Sequence, residues 1–325
     1  MKLKRMLAVV LVFVFGVLLV ACKKDDKTQI GILQLVAAPA LDEARIGFLE
    51  VLEENGFKDG ENIKVTLEIP NADQTVMMQQ AKSLVRNSDL ILSIATNATA
   101  AAQNALVEAN KTTPLLFTAV TDPVAHGFVE SMAKPGGHIT GTSDMNPVAE
   151  QVGLAKELLP EATKIGFIYN SNEENSRIQV EMGVAAAQAL GMTTVVKTIS
   201  EVNQIDLVAN NLFNEVDVVY VPTDNMLAQN MVLLTNMSLS KKKPIIAGEE
   251  NQVRDGASIT FGINYRELGR QTGQMAVEIL KNGKLPKDIP AATSENLSLI
   301  VNKTNLEAMG ITVSQALLDR ADEVI

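Results

Sequence analysis

The chain has 325 residues, 28 Lys and Arg against 38 Asp and Glu, a formal net charge of −10, one cysteine, two histidines and no tryptophan. An acidic balance argues against nucleic acid and anionic lipid headgroups as partners. A single cysteine excludes a disulfide framework or a thiolate metal site, and two histidines without CxxC or HExxH give no basis for zinc.

The N-terminus carries Lys2, Lys4 and Arg5, then an apolar stretch over 6–20, then Lys23-Lys24-Asp25-Asp26-Lys27. A charged start, an apolar middle of about 15 residues and a small residue before the cut describe a secretory signal peptide; a bilayer span needs ~20. Leu19-Val20-Ala21-Cys22 resembles the bacterial lipobox. That implies a signal peptide over 1–21, a diacylated Cys22 and an anchor linker over 22–27. The mature chain would be extracytoplasmic and lipid-anchored to the bacterial cell membrane. Losing three positive charges and no acid takes the net charge from −10 to −13. A chain of this length is expected to split into two cores.

From Gln29 onward, short apolar runs alternate with longer stretches of helical period. The pattern predicts a strand over 30–36 and a helix over 41–55. Leu41, Ala44, Phe48 and Leu52 share a face of that helix, and Gly56 lies just past its end. A strand follows at 63–69, a helix at 73–87, a strand at 90–95, a helix at 99–110 and a strand at 115–120. A short strand at 139–142 follows Lys134-Pro135-Gly136-Gly137. The rhythm restarts with a strand at 165–169, a helix at 176–190, a strand at 193–199, a helix at 204–214 and a strand at 216–221. A helix at 226–240 and a strand at 244–247 come next. The last third gives a strand at 258–263, a helix at 266–280, a strand at 297–301 and the start of a short helix at 305–309. Strands alternating with helices of ~10–15 residues predict βαβ units and parallel sheets covered on both faces. The fold class is therefore α/β, with two Rossmann-like doubly wound lobes.

In open parallel sheets, ligands bind beyond the carboxyl ends of the strands. The loops at those positions are rich in Thr, Ser, Asn, Asp and Glu and nearly free of Lys and Arg; Arg45 and Arg177 fall inside helices. No GxGxxG and no basic cluster is present, so a phosphate or nucleotide cofactor is not expected. The composition suits a ligand with a positive group, or a zwitterion. The helix start at Thr96-Asn97-Ala98-Thr99 offers free backbone N–H groups and a favourable dipole for a carboxylate. Asp144 and Asp224 sit where two lobes could close on an ammonium. The bland alternative for each such residue is an ordinary helix N-cap. The candidate ligand-binding residues are Gln34, Pro39, Thr96, Asn97, Thr118, Val120, Asp122, Ser143, Asp144, Tyr169, Asn170, Ser176, Thr223, Asp224, Asn225 and Glu249. Nothing resembles a catalytic set: no Ser or Cys sits in a nucleophile elbow, His126 reads as a surface-turn residue, and Glu249 and Glu250, being adjacent, point apart. No catalytic residue, cofactor or metal is expected.

Several stretches together carry a family resemblance: Gln34-Leu35-Val36 with Pro39-Ala40-Leu41-Asp42, Thr118-Ala119-Val120-Thr121-Asp122-Pro123-Val124, Lys134-Pro135-Gly136-Gly137-His138-Ile139-Thr140-Gly141, Ile168-Tyr169-Asn170, Pro222-Thr223-Asp224-Asn225 and Gly262-Ile263-Asn264-Tyr265-Arg266-Glu267-Leu268-Gly269. The chain resembles the substrate-binding lipoproteins of ABC importers, in the branch that binds tryptophan or related aromatic amino acids. The resemblance implies a type I periplasmic-binding fold with three crossings, near 141–144, 260–261 and 288–292. One lobe would hold 28–142 plus 261–288, the other 143–260 plus 289–325. It further implies hinge closure on an aromatic amino acid, and delivery to a permease with its ATPase. In that reading the ligand carboxylate meets Thr96, Asn97 and Thr118. The ammonium meets Asp144, Asp224 or Glu249, and the ring lies against Val36, Pro39 and Tyr169. A sensing lipoprotein of the same fold working with a signalling receptor, or a binder of nucleosides or sugars, is the competing reading.

Overall fold

The computed structural model describes residues 27–294 and 296–325. The signal peptide and Cys22 lie outside the described residues. In chain order the first lobe is built from β1 (Thr28–Gln34), α1 (Pro39–Glu54), β2 (Ile63–Glu68), α2 (Gln74–Asn87), β3 (Leu90–Ile94), α3 (Thr96–Glu108), β4 (Leu115–Val120) and β5 (Ile139–Ser143). The second lobe follows with α4 (Val148–Leu158), β6 (Lys164–Asn170), α5 (Glu174–Ala189), β7 (Thr193–Ile199), α6 (Ile205–Glu215), β8 (Val218–Val221), α7 (Asn225–Gln229), α8 (Met231–Lys241), β9 (Ile245–Ala247), α9 (Glu250–Arg254) and β10 (Ile259–Ile263). The chain then returns to the first lobe with α10 (Tyr265–Asn282) and β11 (Ala292–Thr293). It ends on the second with β12 (Leu297–Val301), α11 (Lys303–Ala308), α12 (Gln315–Arg320) and β13 (Glu323–Val324).

The first sheet runs β11-β5-β4-β3-β1-β2 and the second β13-β12-β10-β9-β8-β6-β7. Every residue of β3, β4 and β5 is buried, as expected of strands covered on both faces. The second sheet carries one core on each face: Phe167, Tyr220 and Ile259 anchor one, Phe213, Leu234 and Ile245 the other. The expectation of parallel sheets needs one correction, because β12 pairs antiparallel with β10. The crossings also fall later than expected. Phe261, Gly262 and Ile263 pair with β12 in the second sheet, and Ala292 and Thr293 pair with Thr142 and Ser143 in the first. Strand pairing therefore places Ser143 and 292–293 with the first lobe and 261–263 with the second. The segments that pass between lobes lie just beyond Ser143, Ile263 and Thr293.

Four helical regions differ from the sequence pattern. The region read as one helix over 226–240 breaks at Asn230, whose φ of −115° and ψ of 19° leave the helical region. The helices α4, α9 and α12 lie in stretches to which the pattern assigned nothing. The short α9 matters most, because its N-cap is Glu249, whose carboxylate accepts from Asn251 N at 2.7 Å and Gln252 N at 2.8 Å.

The first lobe is held by an unusually close helix pair. The helix α10 lies along α1, and a Cβ added at Gly269 would sit 1.9 Å from the Ala44 carbonyl oxygen. Only glycine lets the two backbones approach so closely. This contact sets the direction of Tyr265, the first residue of α10, relative to the start of α1.

Candidate functional site

The two sheets present the carboxyl ends of their strands to a common cleft. There a pocket of about 510 Å³, part of it open to solvent, is lined by both lobes. The first lobe contributes the start of α1 (Ala38, Pro39, Ala40, Leu41), the start of α3 (Ala95, Thr96) and Ala119. The second contributes Asn175, Thr223, Asp224, Asn225, Ala228, Glu249, Asn251, Gln252 and Asp255. Asp144 and Tyr265, each just past a crossing, close the hinge end.

The first-lobe wall is electropositive without any basic side chain. Both α1 and α3 begin without a side-chain cap, their N-cap positions being Ala38 and Ala95. The first amides of a helix have no intrahelical acceptor, and the helix dipole favours an anion there. Ala95 holds φ 85° and Ala119 φ 56°, both in the range that side chains disfavour. Such strain costs about 1–3 kcal/mol per residue and concentrates at binding sites. Here it turns the ends of β3 and β4 toward the pocket. Beside them the Thr96 hydroxyl is buried and lacks a hydrogen-bond partner among the described residues. An unpaired buried hydroxyl costs about 1–3 kcal/mol, which a ligand oxygen would recover.

The opposite wall is electronegative. Asp144, Asp224 and Glu249 are 4%, 0% and 3% exposed, and no Lys or Arg is among the residues lining the pocket. Asp144 accepts the Tyr265 hydroxyl at 2.7 Å and the Thr121 hydroxyl at 3.1 Å. Asp224 accepts Asn170 N at 2.7 Å and Leu227 N at 3.0 Å, with further support from the Ser176 hydroxyl. Burial pushes all three carboxyls above their ordinary values. Glu249 rises to about 7, and Asp224, with Glu173 close by, to about 8. A cation in the pocket would reverse that shift, because an opposite charge nearby favours the ionised form. The pocket is thus sorted by charge: unpaired N–H donors on one lobe, buried carboxylates on the other and at the hinge.

Of the sequence-derived candidates, Pro39, Thr96, Asp144, Thr223, Asp224, Asn225 and Glu249 meet in this pocket. Asn97 and Asn170 line an adjoining cavity between the lobes, which Asn225 joins to the first. Ser176 lies beneath Asp224. The others are committed elsewhere. Gln34 donates to the Val36 carbonyl and Asp42 and accepts from Arg45, which fixes the first turn of α1. The Thr118 hydroxyl bonds Thr142 at 3.0 Å, and Thr142 bonds Thr272 at 2.7 Å, a buried chain joining β4, β5 and α10. Val120 is fully buried core. Asp122 accepts Val124 N and Ala125 N and caps a turn. Ser143 donates to the Thr121 carbonyl at 2.7 Å and shapes the hinge. Tyr169 packs against the second-lobe core, away from the pocket.

Four contributors escaped the sequence reading. Tyr265 orients Asp144, and burial with that carboxylate holds its hydroxyl protonated. Glu173 accepts Asn225 N at 2.9 Å and Met226 N at 3.1 Å, fixing the loop that carries Asp224. Gln179 bonds Thr223 in its own lobe and Thr121 in the other at 3.3 Å. Gln229 donates to the Ala37 carbonyl at 2.9 Å, again across the cleft. The last two bonds tie the lobes together and describe a closed cleft.

Residues 29–325 match the family model described as ABC transporter substrate binding protein. The chain is 39% identical over 325 residues to a tyrosine-binding protein of Clostridioides difficile, a match spanning 95% of this chain and 93% of that one. It superposes with a TM-score of 0.87 on an ABC domain from Streptococcus pneumonia in complex with L-Trp, at 34% identity over 92% of this chain and all of that one. Against the ligand-free, open structure of a Clostridium difficile substrate-binding protein with adhesive properties, the identity is higher, 40%, over 91% of this chain and 99% of that one. The TM-score is nevertheless lower, 0.70. The lobes here are therefore arranged more like those of the liganded relative, in keeping with the hydrogen bonds across the cleft. Two α/β lobes closed over a charge-sorted pocket, matched along nearly their whole length, make this chain a member of the ABC transporter substrate-binding family, whose members bind their ligand without chemical change.

Proposed function

We propose that this protein is the lipid-anchored receptor of an ABC importer for an aromatic L-amino acid. The observation that carries the reading is the sorting of charge across the pocket. Three buried carboxylates without a basic partner face two uncapped helix starts and an unpaired threonine hydroxyl. An α-amino acid supplies both missing partners at once: its ammonium to Asp144, Asp224 and Glu249, its carboxylate to the amides of α3 and Thr96. A sugar or nucleoside would leave the buried carboxyls as they are in the empty pocket and would gain nothing from ionising them.

The side chain is assigned to the small apolar residues of the lining, Ala38, Pro39 and Ala40 on the first lobe and Ala228 on the second. The likeness to relatives described with tyrosine and with L-Trp supports the same assignment. This moves the ring away from Tyr169, which does not reach the pocket. Closure buries the ligand, and the closed shape is what the permease and its ATPase respond to. The run ending at Cys22 supports an extracytoplasmic position held by lipid, and two acyl chains suffice for stable anchoring.

A thermal-shift and calorimetric screen of the mature chain against the twenty amino acids, common sugars and nucleosides tests this reading. A ligand at 100 times its Kd should add ~2.7 kcal/mol of stability. Stabilisation by aromatic amino acids is the expected result; stabilisation by sugars or nucleosides alone would overturn it.

A further inference from the structure

We propose that Gln179 is a positioning residue of the amino-acid site: on closure it crosses to the first lobe and fixes the Thr121 hydroxyl as a donor to Asp144, so that Asp144 is fully prepared for an ammonium only when the lobes are together. The proposal rests on the amino-acid reading above and deepens it, because it makes one of the carboxylates that meet the ligand depend on a side chain outside the pocket lining.

Gln179 lies on α5 of the second lobe and is fully buried. Thr121 directly follows β4 of the first lobe and is also buried. The hydrogen bonds leave one consistent orientation of the Gln179 amide. The Thr223 backbone N–H can only donate, and it meets Gln179 Oε1 at 3.2 Å. The amide nitrogen therefore occupies the other arm. From there it reaches the Thr223 hydroxyl and, at 3.3 Å, the Thr121 hydroxyl in the opposite lobe.

A hydroxyl has one proton to give. Gln179 approaches the Thr121 oxygen as a donor, and the acceptor within reach of the Thr121 proton is Asp144 Oδ1 at 3.1 Å. The Tyr265 hydroxyl donates to the other oxygen, Oδ2, at 2.7 Å. Each oxygen of Asp144 thus receives one O–H, the arrangement that favours an ionised carboxylate. The Thr121 backbone is held independently of the second lobe, since its carbonyl accepts the Ser143 hydroxyl at 2.7 Å.

Because Gln179 and Thr121 belong to different lobes, their bond exists only in the closed cleft. In an open cleft water surrounds both groups. Water donates to a hydroxyl or accepts from it, so the Thr121 proton is no longer directed at Asp144. Closure then both covers the ligand and strengthens the group that holds its ammonium. By linkage, an ammonium on Asp144 favours closure to the same extent.

A double-mutant cycle on the mature protein tests the proposal, with L-tyrosine affinity read by calorimetry and rates by stopped flow. Thr121→Val, which keeps the shape and loses the hydroxyl, should weaken binding about tenfold. Gln179→Met should weaken it about threefold, chiefly through faster dissociation, because closure follows encounter. The double variant should be no weaker than Thr121→Val alone, since Gln179 acts through that hydroxyl. Thr121→Ser should retain most of the affinity. If Gln179→Met does not fold, Gln179→Asn, whose amide is one methylene short of Thr121, takes its place in the cycle. Additive losses in the double variant, or a loss in Gln179→Met confined to association, would overturn the proposal and leave Gln179 a support for Thr223. Failure of the unaltered protein to bind L-tyrosine, L-tryptophan or L-phenylalanine would overturn the proposed function and this proposal with it.

Discussion

Lowering the pH from 8 to 6 should weaken ligand binding, and the structure sets the scale. An ammonium binds the ionised form of the carboxylates, yet in the empty pocket burial holds Glu249 at about 7 and Asp224 higher still. A group that titrates near 7 when empty and stays ionised in the complex must release its proton on binding at any pH below 7. The apparent affinity then falls by about tenfold between pH 8 and pH 6 through Glu249 alone. The loss is larger if the ammonium rests on Asp224, whose starting pKa is higher. At pH 7 Glu249 would release about half a proton per ligand bound, more if Asp224 takes part. The empty protein should show the converse. A carboxyl whose pKa is raised on folding contributes stability that is complete below its ordinary pKa and is lost as pH rises through the raised value. This contribution therefore fades between about pH 4 and pH 7, and bound ligand restores it. The assay is calorimetric titration at pH 6, 7 and 8 in buffers of different ionisation enthalpy. Affinity that is flat across this range, with a heat that does not depend on buffer, would refute the reasoning and remove the buried carboxylates from the ligand.

Other substitutions separate the site from its scaffold. Thr96→Val removes a buried hydroxyl that bonds nothing in the empty pocket, so stability should hold or rise by up to about 1 kcal/mol while ligand affinity drops about tenfold; unchanged affinity on titration would make Thr96 a packing residue. Gly269→Ala should behave in the opposite way. Its methyl would meet the Ala44 carbonyl oxygen at 1.9 Å, and pushing α10 from α1 should cost about 2–3 kcal/mol in urea unfolding despite a helix-propensity gain of ~1 kcal/mol. A stable Gly269→Ala protein would mean that the helix pair can separate freely. Mass spectrometry of the native protein should find an N-terminal peptide that begins at an acylated Cys22; one that retains Leu19 would contradict lipid anchoring.

The sequence located the cleft through loops rather than through any single residue. Strand ends at Ile94, Val120, Val221 and Ala247 could be read from apolar runs, and the residues just after them include Thr96, Asp224 and Glu249. Polarity alone did not distinguish side chains aimed into the cleft from those that tie the scaffold together. Thr118, Ser143 and Asp122 have the same chemistry as Thr96 and Asp224, yet their oxygens bond to neighbouring strands and turns. Only register separates them: Thr118 is inside β4, with its hydroxyl facing Thr142. Tyr265 was hidden for another reason. It reaches Asp144 across 121 residues of chain, through a crossing that returns α10 to the first lobe. The positive φ angles of Ala95 and Ala119 carry no sequence signal, because alanine is not a residue that marks such backbone. The late crossings follow from the antiparallel pairing of β10 with β12, which holds 261–263 in the second sheet.

The central claim is that one ligand spans the pocket with its ammonium on the carboxylate wall and its carboxylate on the helix starts. A crystal structure of the mature protein grown with L-tyrosine at pH 8 measures this directly. The account predicts the ammonium among Asp144, Asp224 and Glu249, the carboxylate on the amides at the start of α3 beside the Thr96 hydroxyl, and the ring against Ala38 and Ala228. An amino acid bound in the reverse sense, or seated in the adjoining cavity beside Asn97 and Asn170, would contradict it.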